Sequence, residues 1–221
     1  MALALAYGVL AHLAAAWRND MLSLAALLAL VAMLLAAPIA ARRAWAWLAL
    51  PVLVAAAWWL YLAGHAGVPL LLVPVAFILL IAWVFGRTLR RGRTPLISRI
   101  VLALEGGPDA PLAPELVAYT RALTAFWAAL LVMLALVNLV LAAIATPDGL
   151  LASLGIAPPV SITRTQWSWF ANLFNYGIVG GAFIGEYAWR KRRFPNRYAS
   201  FADFLRRMGG LGPAFWRDLL R

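Results

Sequence analysis

Strongly polar side chains recur along one face of the last apolar segment of this chain. Five residues there step by three and four positions, so they share one face of an α-helix. They are Asn172, Asn175, Val179, Ala182 and Glu186, of which the two asparagines and the glutamate are polar. A charged side chain at mid-membrane costs roughly 2.5–3.5 kcal/mol, so polar groups at this depth commonly serve transport, proton relay or helix pairing. The polar face is therefore predicted to line the bundle interior or a wet cavity.

Glu186 stands one turn before a run of four cations, and Arg121 lies at a comparable depth on the preceding apolar segment. We predict that Arg121 and Glu186 form an ion pair, because a buried charge without a partner is costly. This structural role is favoured over proton relay or catalysis. Asn138 and His12 are isolated polar residues, and for both we expect an interhelical hydrogen bond rather than a substrate contact.

The same segment carries Gly177, Gly181 and Gly185 at four-residue spacing. Small residues with this spacing allow another helix to approach the backbone closely. The approaching helix belongs either to the same chain or to a second copy, so the pattern is compatible with a homo-oligomer.

Known catalytic patterns are missing from the sequence. The chain has no cysteine and only two histidines, His12 and His65, which lie far apart. No zinc motif, phosphate loop, serine nucleophile elbow or paired acidic motif is present. We therefore assign no catalytic residue, no metal and no cofactor, and we favour a non-enzymatic role.

Six apolar runs must position these groups. The chain is 65% hydrophobic, and its runs approach the roughly 20 residues that cross a bilayer core. The predicted spans are 2–17, 21–41, 44–62, 68–86, 116–145 and 167–188. The sequence thus predicts an all-α, polytopic membrane helical bundle. The run 14–16 could be a signal-peptidase site, but no Lys or Arg precedes it, so the first helix is expected to be retained.

Charge placement predicts the orientation. The net charge is +11, and its cations cluster between apolar runs, which favours membrane topology over nucleic-acid binding. Seventeen cations fall on one side of the six-span arrangement, and only Arg18 and Arg164 fall on the other. Both termini are therefore predicted to lie in the cytoplasm. The predicted cytoplasmic basic face contains Arg87, Arg90, Arg91, Arg93, Arg99, Arg190, Lys191, Arg192 and Arg193.

The spans divide the chain into four predicted regions. A four-span region covers 1–86, an amphipathic cytoplasmic loop covers 87–114, a two-span hairpin covers 115–189 with an outer loop at 147–166, and a basic amphipathic tail covers 190–221. In the loop, Thr94 is expected to cap a short amphipathic helix that lies in the membrane interface or packs against the protein, with Ser98, Arg99 and Ala103 off its apolar stripe. In the tail, Ser200 and Asp203 resemble a capping box.

Two stretches resemble a known family. They are Phe85-Gly86-Arg87-Thr88-Leu89 through Thr94-Pro95-Leu96-Ile97 with Arg99, and Gly185-Glu186-Tyr187 through Arg192-Arg193-Phe194-Pro195 with Ser200-Phe201 and Phe204-Leu205. The sequence resembles bacterial inner-membrane proteins encoded in aryl-polyene and xanthomonadin-like pigment biosynthesis clusters, over about the C-terminal two thirds. The resemblance implies a pathway and a location in the bacterial inner membrane. Its motif positions are Arg87, Thr88, Arg99, Glu186 and Phe201.

Three functions follow as hypotheses. The first is a non-enzymatic component of a polyene-lipid assembly system, whose basic face docks acidic acyl carrier proteins, anionic lipids or other membrane proteins of the pathway. The second is a transporter or flippase for a lipid-linked product, and the third is a membrane-embedded acyl or glycosyl transferase. A ketosynthase is excluded, because its condensation needs a cysteine nucleophile that this chain lacks.

Overall fold

The protein is an all-α membrane protein. The computed structural model describes residues 2–105, 113–147, 149–163, 166, 169–193, 206, 209–210, 212 and 215, apart from the side chains of 105, 171 and 172. The helices are α1 (Ala2–Trp17), α2 (Asp20–Ala40), α3 (Ala44–Leu62), α4 (Val68–Arg87), α5 (Leu96–Glu105), α6 (Pro114–Ile144), α7 (Leu150–Ser153) and α8 (Asn175–Arg193). A π-helix, Phe170–Phe174, leads directly into α8.

Four helices within the described ranges are long and apolar enough to cross a membrane, namely α2, α3, α4 and α6. Their bounds differ from the predicted spans by no more than two residues. Helix α1 is apolar but has only 16 residues. Helix α8 continues beyond the predicted span through the basic run to Arg193, because that run has no helix-breaking residue before Pro195.

Large apolar side chains cover the outside of the long helices. Leu48 is 73% exposed and Val52 is 67% exposed, although both lie within α3. Exposed tryptophans lie near helix ends, at Trp17, Trp45, Trp47, Trp58, Trp59, Trp83 and Trp189. A water-soluble monomer rarely exposes so much continuous apolar surface, whereas lipid solvates it and tryptophan favours the membrane interface.

The chain forms two compact units. Unit one consists of Met1–Val75 and Leu139–Trp167, and unit two consists of Ala76–Asn138 and Ser168–Arg221. Helices α4 and α6 contribute residues to both. Each unit has its own interior.

Unit one is built on close packing of α2 against α1 and α3. Two clusters hold α2 to α3, one around Leu27 and Ala57 and one around Leu35 and Ala46. Alanines at these contacts let the helix backbones approach, which is the usual basis of helix association in lipid. Asn19 begins α2 by accepting a hydrogen bond from the Leu22 N–H at 3.1 Å.

The predicted outer loop contains short regular structure. Strand β1 (Ala145–Thr146) pairs in parallel with β2 (Ile162–Thr163), and α7 lies between them. These two-residue strands are an exception to the predicted all-α composition. Their pairing joins the two ends of the loop.

Unit two contains the predicted interfacial helix as α5. Its buried face includes Leu96 and Val101, as the apolar stripe predicts, but Ser98 is also buried, at 1% exposure. The prediction for Ser98 was wrong because a hydroxyl on α6 gives it a buried hydrogen-bond partner. Thr94 is exposed, and the first N–H groups of α5 instead bind hydroxyls from outside the helix.

Several predicted features lie outside the described residues. These are Arg164, the capping box at Ser200 and Asp203, and the motif residue Phe201.

Candidate functional site

The polar groups of unit two form a chain of contacts between antiparallel helices α6 and α8. Three levels of contact follow one another along the pair. Asn138 meets Asn175 at the first level, Trp127 meets Phe183 at the second, and Tyr119 meets Glu186 at the third. The sequence-predicted polar face of α8 therefore lies against α6 at Asn175 and Glu186.

Asn138 and Asn175 form a reciprocal amide pair. Each side-chain amide donates to the carbonyl oxygen of the other at 3.0 Å, and the Asn138 amide also donates to the Leu134 carbonyl at 2.7 Å. Asn138 is 3% exposed. This confirms the interhelical hydrogen bond expected for Asn138. Hydrogen bonds between helices in lipid contribute on average about 0.6 kcal/mol to stability.

Glu186 has two partners in this structure. The Tyr119 hydroxyl donates to its carboxylate at 2.8 Å, and Arg190, one turn later on α8, lies 3.2 Å from the same oxygen. The predicted pair with Arg121 is not formed. Arg121 instead donates to the Leu89 carbonyl at 2.8 Å. The i,i+4 spacing on one helix already places Arg190 beside Glu186, so no cation from α6 is needed.

A cluster of hydroxyls fixes α5 in unit two. Thr88 donates to the Phe85 carbonyl at 2.7 Å and accepts the Leu96 N–H at 3.0 Å. Thr124 likewise donates to the Thr120 carbonyl at 2.7 Å and accepts the Ile97 N–H at 3.3 Å. Each hydroxyl thus uses its proton on one carbonyl and its lone pair on α5.

Ser98 completes the hydroxyl cluster. Its oxygen lies 2.6 Å from the Thr120 hydroxyl, which also donates to the Leu116 carbonyl at 2.8 Å. Because a hydroxyl has one proton, Ser98 is the donor between the two. Thr120 and Thr124 are at most 1% exposed, so these bonds form away from solvent and hold α5 firmly against α6.

The predicted basic residues that the structure describes all belong to unit two. Arg90, Arg91 and Arg93 are exposed in the segment between α4 and α5, and Lys191, Arg192 and Arg193 are exposed at the end of α8. The remaining three are partly buried: Arg87, Arg99 and Arg190. The Arg87 guanidinium lies 4.8 Å from the centre of the Trp83 ring.

A groove of about 430 Å³ lies between α6 and α8 beside the Tyr119–Glu186 pair. Its α6 wall is formed by Tyr119, Ala122, Leu123 and Phe126, and its α8 wall by Ala182, Gly185, Glu186 and Trp189. Carbon atoms dominate both walls. Its volume is within the roughly 300–1,000 Å³ of small-molecule sites.

The π-helix changes the angular position of Asn172 relative to Asn175. The Asn175 N–H donates to the Phe170 carbonyl, five residues earlier, whereas an α-helix bonds to the fourth. The α-helical spacing that grouped Asn172 with Asn175 therefore does not apply across this turn. The Asn172 side chain lies outside the described residues.

The three glycines of α8 have open space beside them. A Cβ atom built on Gly177, Gly181 or Gly185 would meet no atom within 4 Å in the described part of the chain. Within the described residues, no helix therefore packs against these glycines. The close approach of a partner helix stays a prediction.

The chain matches no protein-family model, no curated protein and no solved structure. Over the residues that the structure describes, no group of three His, Asp or Glu side chains could hold a metal ion.

Sequence reasoning missed Tyr119, Thr120 and Thr124. A usable signal existed, because two threonines four residues apart in an apolar helix form a polar strip on one face. Tyr119 gave no such signal, since its role depends on α8 lying opposite.

Proposed function

We propose that this chain is a non-enzymatic inner-membrane component of a bacterial polyene-lipid or pigment biosynthesis system, whose basic face docks acidic acyl carrier proteins. The observation that carries the proposal is that hydrogen bonds to Thr88, Thr120 and Thr124 fix the position of α5. The arginines of the segment just before α5 are therefore attached to an ordered helix. Charges on an ordered surface give orientation as well as attraction to an acidic partner.

A cluster of exposed cations supports docking at this unit. Arg90, Arg91 and Arg93 are exposed next to the held helix, and Arg121 ties the segment at Leu89 to α6. Acyl carrier proteins are acidic in general, so their encounter with such a surface would be accelerated at low salt. The pathway itself is inferred from the sequence resemblance.

The test is a pull-down, by the full chain in detergent, of the acyl carrier proteins encoded in the same biosynthetic gene cluster, at low and high salt. We expect binding at low salt that falls as salt rises. Replacing Arg90, Arg91 and Arg93 by Gln should weaken low-salt binding by roughly tenfold, because three exposed charges at about 0.5 kcal/mol each together contribute about 1.5 kcal/mol. Arg18→Gln is the matched control, since Arg18 is predicted to lie on the opposite side of the membrane.

Either of two results would refute carrier docking. One is the absence of salt-sensitive binding by the unmodified chain. The other is an equal loss of binding in the triple variant and in the Arg18→Gln control.

The proposal includes six spans with both termini in the cytoplasm. The four long helices, α1 and α8 would supply them, and the cation distribution supports this orientation. Reporter fusions at residues 95 and 200 should report the cytoplasm, and a fusion at residue 156 should report the periplasm. A periplasmic signal at 95 or 200 would overturn the arrangement.

Transport along the polar face of α8 receives less support from the geometry. Asn175 bonds to Asn138, and Glu186 bonds to Tyr119 and Arg190. These polar atoms hold helices together, and a transport path would need them for a substrate.

A further inference from the structure

We propose that the groove between α6 and α8 binds one hydrocarbon chain of an anionic phospholipid, whose headgroup lies on the cations at the end of α8. This is a ligand site distinct from carrier docking, and it does not depend on the proposed pathway.

The groove offers carbon surface to a ligand. Ala122, Leu123 and Phe126 form most of its α6 wall, and Ala182 and Gly185 contribute to the α8 wall. Its two polar side chains, Tyr119 and Glu186, are hydrogen-bonded to each other at 2.8 Å. An apolar chain can therefore fill the space without leaving that pair unsatisfied.

The end of the groove nearest the C-terminus of α8 is cationic. Glu186 forms part of the wall, and Arg190 contacts it one turn further along. Lys191, Arg192 and Arg193 follow on the same helix and are exposed. One apolar groove thus leads to a cluster of positive charge, which fits an amphiphile with a hydrocarbon tail and an anionic head.

The membrane supplies that amphiphile. Basic pockets between membrane helices bind anionic headgroups, and each Lys or Arg near an anionic leaflet contributes about 1 kcal/mol. Phe126 and Trp189, at 47% and 61% exposure, flank the groove on its open side, so a lipid chain can enter laterally. A zwitterionic phospholipid of equal chain length would fill the groove but lack the electrostatic attraction.

The test uses the full chain, purified in detergent and exposed to phosphatidylglycerol or phosphatidylcholine with identical acyl chains. Native mass spectrometry then counts retained lipids. We expect phosphatidylglycerol to be retained at least about fivefold better, which corresponds to one effective cation at the headgroup. Equal retention of the two lipids would overturn the proposal.

Two substitutions fill the groove from opposite walls. Gly185→Leu projects from α8 into open space, and Ala122→Leu projects from an exposed position on α6. Both should lower phosphatidylglycerol retention several-fold by occupying the space of the chain. Gly181→Leu and Ala125→Leu are the matched controls, because both positions are exposed and neither lines the groove.

A headgroup variant separates attraction from filling. Replacing Arg192 and Arg193 by Gln should reduce the preference for phosphatidylglycerol and leave phosphatidylcholine retention unchanged. Thermal unfolding of every variant identifies any that fails to fold. If the folded groove-filling variants retain lipid as well as their controls do, the groove is not the site.

Discussion

Different interactions hold the helices together inside each of the two units. In unit one, α2 packs closely on α1 and α3 through alanine and leucine. In unit two, α6 contacts α8 through an amide pair, an aromatic contact and a hydroxyl–carboxylate bond. Of the buried polar residues in the described part of the chain, only Ser23 lies in unit one, whereas Thr88, Ser98, Thr120, Thr124 and Asn138 lie in unit two.

The difference indicates where specific recognition is concentrated. Close packing of small side chains holds helices in lipid without polar groups and leaves no room between them. Helices joined by polar contacts at separate levels can leave a groove beside one of them, and in unit two the groove lies beside Tyr119 and Glu186. The two units therefore predict different responses to substitution.

The largest expected effect comes from removing hydroxyls in unit two. Thr120→Val together with Thr124→Val leaves the Ser98 hydroxyl and the Ile97 N–H without their partners. We expect a loss of about 2–4 kcal/mol in unfolding free energy, because each buried group left unsatisfied costs about 1–3 kcal/mol. Denaturation in mixed detergent micelles measures this loss.

Ser23→Ala is the control in unit one. The Ser23 hydroxyl donates only to the Asn19 carbonyl, which also accepts the Ser23 N–H at 3.0 Å. Its removal should change stability very little. A loss in Ser23→Ala as large as in the double variant would remove the contrast between the units.

The next effect tests close packing in unit one. A Cβ on Gly149 would collide with the Ala145 carbonyl and lie 3.0 Å from the Ala142 carbonyl. Gly149→Ala should therefore destabilise by about 1–3 kcal/mol, since backbone must shift. Gly8→Ala, in open space on α1, should be neutral or stabilising. Equal melting temperatures of the two variants would contradict the close approach at Gly149.

A double-mutant cycle tests the amide pair of unit two. Asn138→Leu and Asn175→Leu each remove both hydrogen bonds between these two side chains, and the double variant removes the same two bonds only once. We expect a coupling energy of about 0.6–1.7 kcal/mol, the range for hydrogen bonds between helices in lipid. Strict additivity of the two single losses would show that the pair does not couple α6 to α8.

The smallest effect is expected at the hydroxyl beside the groove. Tyr119→Phe removes one hydrogen bond to Glu186, which keeps its contact with Arg190. The loss should stay below about 1 kcal/mol, because the site is partly open to its surroundings. Tyr176→Phe, at a position 74% exposed, is the control. A larger loss at Tyr176 than at Tyr119 would mean that the Tyr119 bond contributes nothing.

The positions of the long helices were predictable from the sequence, but many contacts within unit two were not. The apolar runs predicted α2, α3, α4 and α6 closely, because a run of hydrocarbon length and few charges is sufficient to define a membrane helix. Asn175 and Glu186, which the sequence places on one face of α8, both bond to side chains of α6. The partner of Glu186 and the position of Ser98 were wrong, since both depend on which helix lies opposite.

The sequence by itself determined that the chain is helical, that its long helices suit lipid, and which residues of α8 share a face. Those properties depend on composition and on spacing along one segment. Only the tertiary structure decided that the hydroxyls of Thr88 and Thr124 accept the first N–H groups of α5. It also decided that Tyr119 bonds to Glu186 and that a groove opens beside them. A hydrogen bond joins groups that are close in space, and the residues that meet here are up to 67 positions apart in the chain.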